Sequence, residues 1–188
     1  LQDVLSMVCA PTSRYVSYTS AHDPAGAHGK LIKRLFQAGQ AQAEPLASTY
    51  QKSLLPLALS FSAACGAVML LQGQELLDTS QFGSRAPAEL SWEVTEWASG
   101  ALELSRQLIA LRAATPSLRR GRVEALQADD AASLLAVRKR AEGRPSAIVV
   151  LNFGDASYSA AAQGAYPVRV PAAATYTVEC RSDSATLH

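Results

Sequence analysis

The chain is expected to be an α/β unit, residues 1–120, followed by an all-β unit, residues 121–188, and three observations predict that order. Before Gly121, short apolar runs rich in β-branched and aromatic residues alternate with stretches of helical period, the alternation of an α/β architecture. After Gly121 the helical period is lost, and short strand candidates recur between turn residues, as in a small antiparallel sandwich. With 48% apolar and 18% charged residues among 188, the chain has material for a packed core and lies far from a disordered composition.

Taken in order, Leu1, Val4, Leu5 and Val8 have helical spacing, and a start at Leu1 inside a helical pattern suggests a piece of a longer protein. Tyr15-Val16-Ser17-Tyr18-Thr19, between Pro11 and Asp23-Pro24, has strand composition. Leu31 to Gln42 suits a short helix. Thr49 to Ala64 is too densely apolar for a surface helix and is expected to be a buried one, weakened by Pro56. Gly66 breaks it, and Ala67-Val68-Met69-Leu70-Leu71 suits a parallel strand covered on both faces. Trp97, Ala101, Leu104, Leu108 and Leu111 step by three and four, one stripe of a helix that ends before Pro116. Beyond Gly121 the strand candidates are Val123 to Leu126, Ser133 to Val137, Ile148 to Asn152, Tyr166 to Val170 and Thr175 to Cys180. Asp129-Asp130, Glu142-Gly143, Gly154-Asp155 and Pro171 supply the turns between them.

A net charge of +1 provides no electrostatic footprint for nucleic acid or an anionic membrane, so neither is expected as a partner. Cys9, Cys65 and Cys180 are odd in number, far apart and without a CxxC pair. They indicate neither a disulfide framework nor a zinc site, and they point to a reducing, cytoplasmic setting. The apolar stretch Leu54 to Leu71 approaches the length of a membrane span, but Pro56, Ser60, Ser62 and Gly66 interrupt it and basic flanks are missing. No signal peptide is visible. The acidic residues are scattered, so no metal site and no cofactor are expected.

Two polar segments follow strand candidates directly. Ser20-Ala21-His22-Asp23 comes after the first; a histidine and a carboxylate at a strand's C-terminal end stand where barrels and open α/β sheets build their sites. The plainer alternative makes Asp23 and Pro24 a turn with His22 packed beneath it. Gly73-Gln74-Glu75, with Asp78 beyond, comes after the second and serves either as a helix cap or as part of a cleft. Trp92 and Trp97 suit sugar stacking or core, and the stripe places Trp97 in the core. Arg119-Arg120-Gly121-Arg122 and Arg138-Lys139-Arg140 are expected to be solvated faces. No GxSxG elbow and no glycine-rich phosphate loop occurs, and His28 is expected in a Gly/Ala loop, so neither nucleophilic serine chemistry nor nucleotide binding is indicated.

In sequence order these pieces resemble the α-amylase family of glycoside hydrolases and transglycosidases. Val16 to Asp23, with Lys33-Arg34-Leu35 after it, is similar to that family's seventh-strand His-Asp motif, and Gly66 to Glu75 to its eighth strand and Gly-x-Glu loop. Leu90-Ser91-Trp92 resembles the Leu-Asp-Trp that commonly follows, with Ser in place of Asp. Leu108 to Arg112 with Pro116 to Gly121 looks like the last barrel helix and its exit, and Val149 to Phe153 like a strand of the C-terminal β domain. The resemblance runs from about Tyr15 to the end. Ser20 and Gln72-Gly73-Gln74-Glu75 look nearest to 1,4-α-glucan branching enzymes and their relatives.

The resemblance implies the last two strands and helices of a (β/α)8 barrel followed by a C-terminal antiparallel β-sandwich. It implies that Asp23 stabilises an oxocarbenium-like transition state without bonding to it, that His22 hydrogen-bonds the same sugar, and that Gln74, Glu75 and Trp92 shape the cleft. The substrate implied is an α-1,4-linked glucan such as glycogen, starch or a maltooligosaccharide. Ala21 departs from the Asn or Ser usual before the His-Asp pair, so a hydrogen bond from that position is either lost or supplied by Ser20. Retaining chemistry also needs a nucleophile and an acid/base carboxylate about 5–5.5 Å apart. The family carries them on strands four and five, which this sequence does not match. Two strands cannot close a barrel, so the chain is expected to be inactive alone and to need the rest of the barrel as its partner. The alternative is a non-catalytic glucan-binding or subunit-interaction module of a split enzyme.

Overall fold

A computed structural model describes residues 1–8, 15–41, 46–80, 89–158 and 164–182; Cys9, Pro11 and Gln42 lie outside them. In chain order the elements are α1 (Gln2–Val8), β1 (Val16–Ser17), α2 (His22–His28), α3 (Leu31–Ala41), α4 (Leu46–Ala63), β2 (Ala67–Val68), a 3-10 turn (Gln74–Leu76), α5 (Glu96–Ala114), α6 (Pro116–Arg120), β3 (Arg122–Asp129), β4 (Leu134–Arg140) and β5 (Ala147–Asn152). The helices expected over Leu31 to Gln42, Thr49 to Ala64 and the Trp97 stripe are α3, α4 and α5. Thr95 opens α5 by accepting the Ala98 N–H at 3.2 Å.

Pro56 does not end α4. Its ring removes one N–H from the helix ladder, and the apolar packing on both sides of the helix holds it together. Leu54, Leu57 and Phe61 pack with Ala101, Leu104 and Leu108 of α5. Leu55, Leu59 and Ala63 pack with Leu135, Val137 and Leu151 of the sheet. α4 therefore contributes to both cores, which is why its sequence is apolar almost all round. No helix of the described residues is long and apolar enough to cross a membrane.

β1 and β2 pair in parallel, Val16 with Ala67 and Ser17 with Val68, and the Met69 N–H extends the pairing to the Ser17 carbonyl at 2.9 Å. Both are shorter than the five-residue runs that predict them. Each has one neighbour among the described residues, so its other edge has no ladder to prolong it. The run Ala67 to Leu71 is not covered on both faces: Ala67 and Met69 are exposed and Val68, Leu70 and Leu71 half-buried, and Val16 and Tyr18 of the first run are half exposed as well.

β3, β4 and β5 form an antiparallel sheet in sequence order, with a register shift between Ala125 and Gln127. Tyr166 to Val170 and Thr175 to Cys180, expected as strands, join no ladder among the described residues. Pro167 and Pro171 remove ladder donors at and after the first run, and in the second Val178 is 71% exposed while only Cys180 at its end packs on the α4–α5 core. The first run attaches through side chains: Tyr166 donates to Asp129, and Gln127 Nε2 donates to the Tyr166 hydroxyl at 2.8 Å.

Arg138-Lys139-Arg140 is corrected as a solvated face at its centre. Lys139 is fully buried, and its ammonium donates to the Ala63 and Ala64 carbonyls at the end of α4, 3.2 and 3.0 Å away. Period two explains it: Leu135 and Val137 share its face of β4 and pack on α4, and the next position meets unpaired helix carbonyls instead of apolar side chains. Arg112 serves the same end of α4, donating to Phe61 O at 2.9 Å, Ala64 O at 3.2 Å and Gly66 O at 2.5 Å.

Candidate functional site

The parallel pairing of β1 and β2 brings both polar segments to one end of the two-stranded sheet. Each strand runs out of its C-terminal end into the segment that carries its candidate residues. Thr19, after β1, accepts a hydrogen bond from Gln74 Nε2, after β2, so the two segments touch side chain to side chain.

His22 and Asp23 occupy the first turn of α2, not a turn or loop. Pro24 permits this, since the third position of a helix has no intrahelical use for its N–H. Asp23 in the first turn also complements the helix dipole. α2 ends at His28, so that histidine closes a helix rather than lying in a Gly/Ala loop. The His22 and Asp23 side chains are 82% and 88% exposed, with Nε2 and Oδ1 3.2 Å apart. Water screens such a pair and little stability comes from it; both groups stand free to meet a ligand. His22 is therefore not packed beneath a turn.

Ser20 is buried, and its hydroxyl accepts the Leu31 N–H at 3.4 Å. It joins β1 to the start of α3, and its burial keeps it from the surface on which His22 and Asp23 stand. Gln74 and Glu75 stand in the 3-10 turn, and Gln74 Oε1 and Glu75 Oε2 are buried with no hydrogen-bond partner among the described residues. Buried acceptors without donors are unfavourable; of the two residues, Gln74 lines the pocket beneath the segments and Glu75 does not. Trp92 is 69% exposed on the approach to α5. Trp97 is half-buried at the start of α5 and stacks on Tyr50, ring centroids 4.9 Å apart; it is not among the buried core residues expected of the stripe.

Sequence reasoning misses Lys30. Its side chain is 3% exposed, and its ammonium donates to Asp78, to Ser80 Oγ at 3.1 Å and to the Gln72 carbonyl at 3.4 Å. Asp78 also accepts the Ser80 N–H at 3.0 Å and the Ser80 hydroxyl at 2.5 Å. Burial pushes the Asp78 carboxyl up, but hydrogen bonds from Lys30 and Ser80 with the lysine's charge outweigh it and hold it below its ordinary value. A single Lys just before the expected helix Leu31 to Gln42 carries no sequence signal of such a role. A pocket under the two segments is lined by Ser20, Lys30, Ser53 and Gln74 with six apolar residues, and neither His22 nor Asp23 lines it.

Among the described residues no group of three His, Cys, Asp or Glu side chains could hold a metal ion. No protein-family model matches the chain, and no curated protein is significantly similar to it.

Proposed function

We propose that this chain is the C-terminal part of an α-glucan-active enzyme of the α-amylase type, performing retaining transfer or hydrolysis on α-1,4-linked glucans. Asp23 and His22 grip one glucose unit, while the nucleophile and the acid/base carboxylate come from outside these residues. The supporting observation is the junction of the two polar segments: parallel neighbouring strands present His22-Asp23 and Gln74-Glu75 at their C-terminal ends, tied by Gln74 and Thr19. Parallel strands followed by helices place binding groups at that end. An exposed carboxylate beside an imidazole suits paired sugar hydroxyls, accepting from one and sharing the other.

The test is electrophoresis of the purified chain through gels cast with glycogen or amylopectin, with iodine staining and reducing-sugar release run in parallel. The expected result is retardation by glucan that Asp23→Asn and His22→Ala diminish, with no turnover. Mobility unaffected by glucan overturns the reading, and turnover by the chain alone overturns the assignment of bond breaking to other residues.

The second reading, a subunit-interaction module of a split enzyme, draws on Tyr15, Val16, Tyr18 and Met69, apolar side chains left exposed on and beside the two-stranded sheet. The coding sequence upstream separates the two. An Arg-x-Asp strand and a Glu-bearing strand in the same reading frame favour the single enzyme, and their presence on a separate partner favours the split one.

A further inference from the structure

We propose that Lys30 is a positioning residue of this site: its buried ammonium clasps the Gln72–Ser80 segment to the α2–α3 junction and so holds Gln74 at the end of β1. The inference rests on the glucan reading of that site.

Lys30 stands between α2 and α3, and three of its partners belong to one segment more than forty residues later: the Gln72 carbonyl at 3.4 Å, the Asp78 carboxylate and the Ser80 hydroxyl at 3.1 Å. Gln72 and Asp78 bracket Gln74 and Glu75, so the clasp grips both ends of the stretch that carries the two candidate cleft residues. Between the grips the chain is tight. The Gly73 carbonyl accepts N–H groups from Leu76 at 3.1 Å and Asp78 at 2.9 Å. Gly73 itself has φ +87°, and a Cβ there would come within 2.5 Å of Leu90 Cδ1. The stretch is thus fixed at its ends and internally braced, and Gln74 is left to reach Thr19.

A buried ion pair is a poor way to gain stability, since an apolar pair of similar volume often does as well. What it adds is directional geometry: an ammonium with three acceptors on one segment fixes where that segment lies. On the other side, Ser20 anchors the start of α3, so Lys30 is held by the helix it precedes.

The experiment uses the full chain, unaltered and as Lys30→Met/Asp78→Leu, which removes both charges together, with Asp78→Asn as a second variant. Hydrogen exchange of the Gln74 side-chain amide is followed by NMR, and maltoheptaose is titrated as the probe. The expected result is a double variant that still melts cooperatively, yet exchanges the Gln74 amide about tenfold faster and binds maltoheptaose about tenfold more weakly, the scale of one hydrogen bond. A folded double variant with unaltered exchange and affinity overturns the proposal. Failure of both variants to fold also overturns it, because the pair then serves the fold as a whole. Absence of maltoheptaose binding by the unaltered chain overturns the glucan reading and the functional half of this one, while the Gln74 exchange still reports whether the clasp positions that residue.

Discussion

Lys139 and Ala64 meet at 3.0 Å, ammonium to carbonyl, where the central strand of the sheet passes the end of α4. The contact joins the helical part of the chain to its β part with a charge that has no access to water. The helix end presents the negative pole of its dipole there, and the lysine is the partner that pole calls for. Lys139→Met keeps the apolar stem and removes the donor, leaving the Ala63 carbonyl, and one bond to Ala64, unanswered. We expect a loss of about 2–3 kcal/mol, the scale of a buried hydrogen bond to a charged group. Urea unfolding checks it. Arg138→Met, one residue away in a partly exposed pair with Glu124, should lose under about 1 kcal/mol; equal losses in the two variants contradict this account.

Gly121 makes the turn from α6 into β3 possible. A Cβ built there would lie 2.2 Å from the Ser117 carbonyl oxygen and 3.0 Å from the Arg140 backbone, neither of which can swing aside. Gly121→Ala should therefore destabilise by about 1–3 kcal/mol through forced backbone movement, although φ at −71° suits alanine. Gly143→Ala is its counterpart, since its Cβ meets open space but φ is +63°. That variant should lose only about 1 kcal/mol, the strain of a left-handed residue. A melt in which Gly121→Ala is the milder of the two would show that the α6–β3 junction is looser than its packing implies.

Asp78 makes stability depend on acid. Its folded carboxyl titrates below 3.8, the value of an unperturbed aspartate. The contribution is thus fully present above that value and is lost as pH falls through the folded one. Asp129 shifts in the same direction, held down by its bond from Tyr166 and then by the Ala132 N–H. Urea midpoints measured from about pH 7 to about pH 3 should be level at first and then fall steeply in the acid range. Asp78→Asn should flatten part of that fall and leave the remainder, which Asp129 supplies in part. An Asp78→Asn variant with the full acid slope would mean that the Lys30 contact does not hold the carboxyl ionised.

Much of the helical architecture was legible because α5 carries its stripe at three and four and α4 is apolar all round, as a helix shared by two cores must be. The strands β3, β4 and β5 were legible from turn residues between short apolar runs. Three things were not. His22 and Asp23 open a helix, where Asp-Pro composition suits a turn and a helix's first turn equally and does not choose between them. Lys139 was hidden inside a basic triplet, though alternation from Leu135 through Val137 points it inward; counting by two would have found it. Lys30 was beyond reach, because its partners Gln72, Asp78 and Ser80 are set by tertiary folding alone. The run from Tyr166 to Val170 shows the opposite failure: its composition suits a strand, and with its prolines it joins no ladder among the described residues.

Leu104 and Ile109 test the stripe on α5 directly. They are five positions apart on one helix, so they point to different sides. Leu104 is 1% exposed among Leu54, Leu57, Phe61 and Leu108, while Ile109 is 48% exposed. Leu104→Ala removes buried methyl groups and leaves a hole that rigid neighbours on α4 cannot close, a loss of about 3–4 kcal/mol. Ile109→Ala gives up partly wetted surface and gains helix propensity, so its loss should stay below about 1 kcal/mol. Paired urea unfolding of the two variants measures the difference. Comparable losses would show that α5 is rotated from the orientation in which Leu104 and Leu108 face α4, and would undo the packing on which the site above β2 stands.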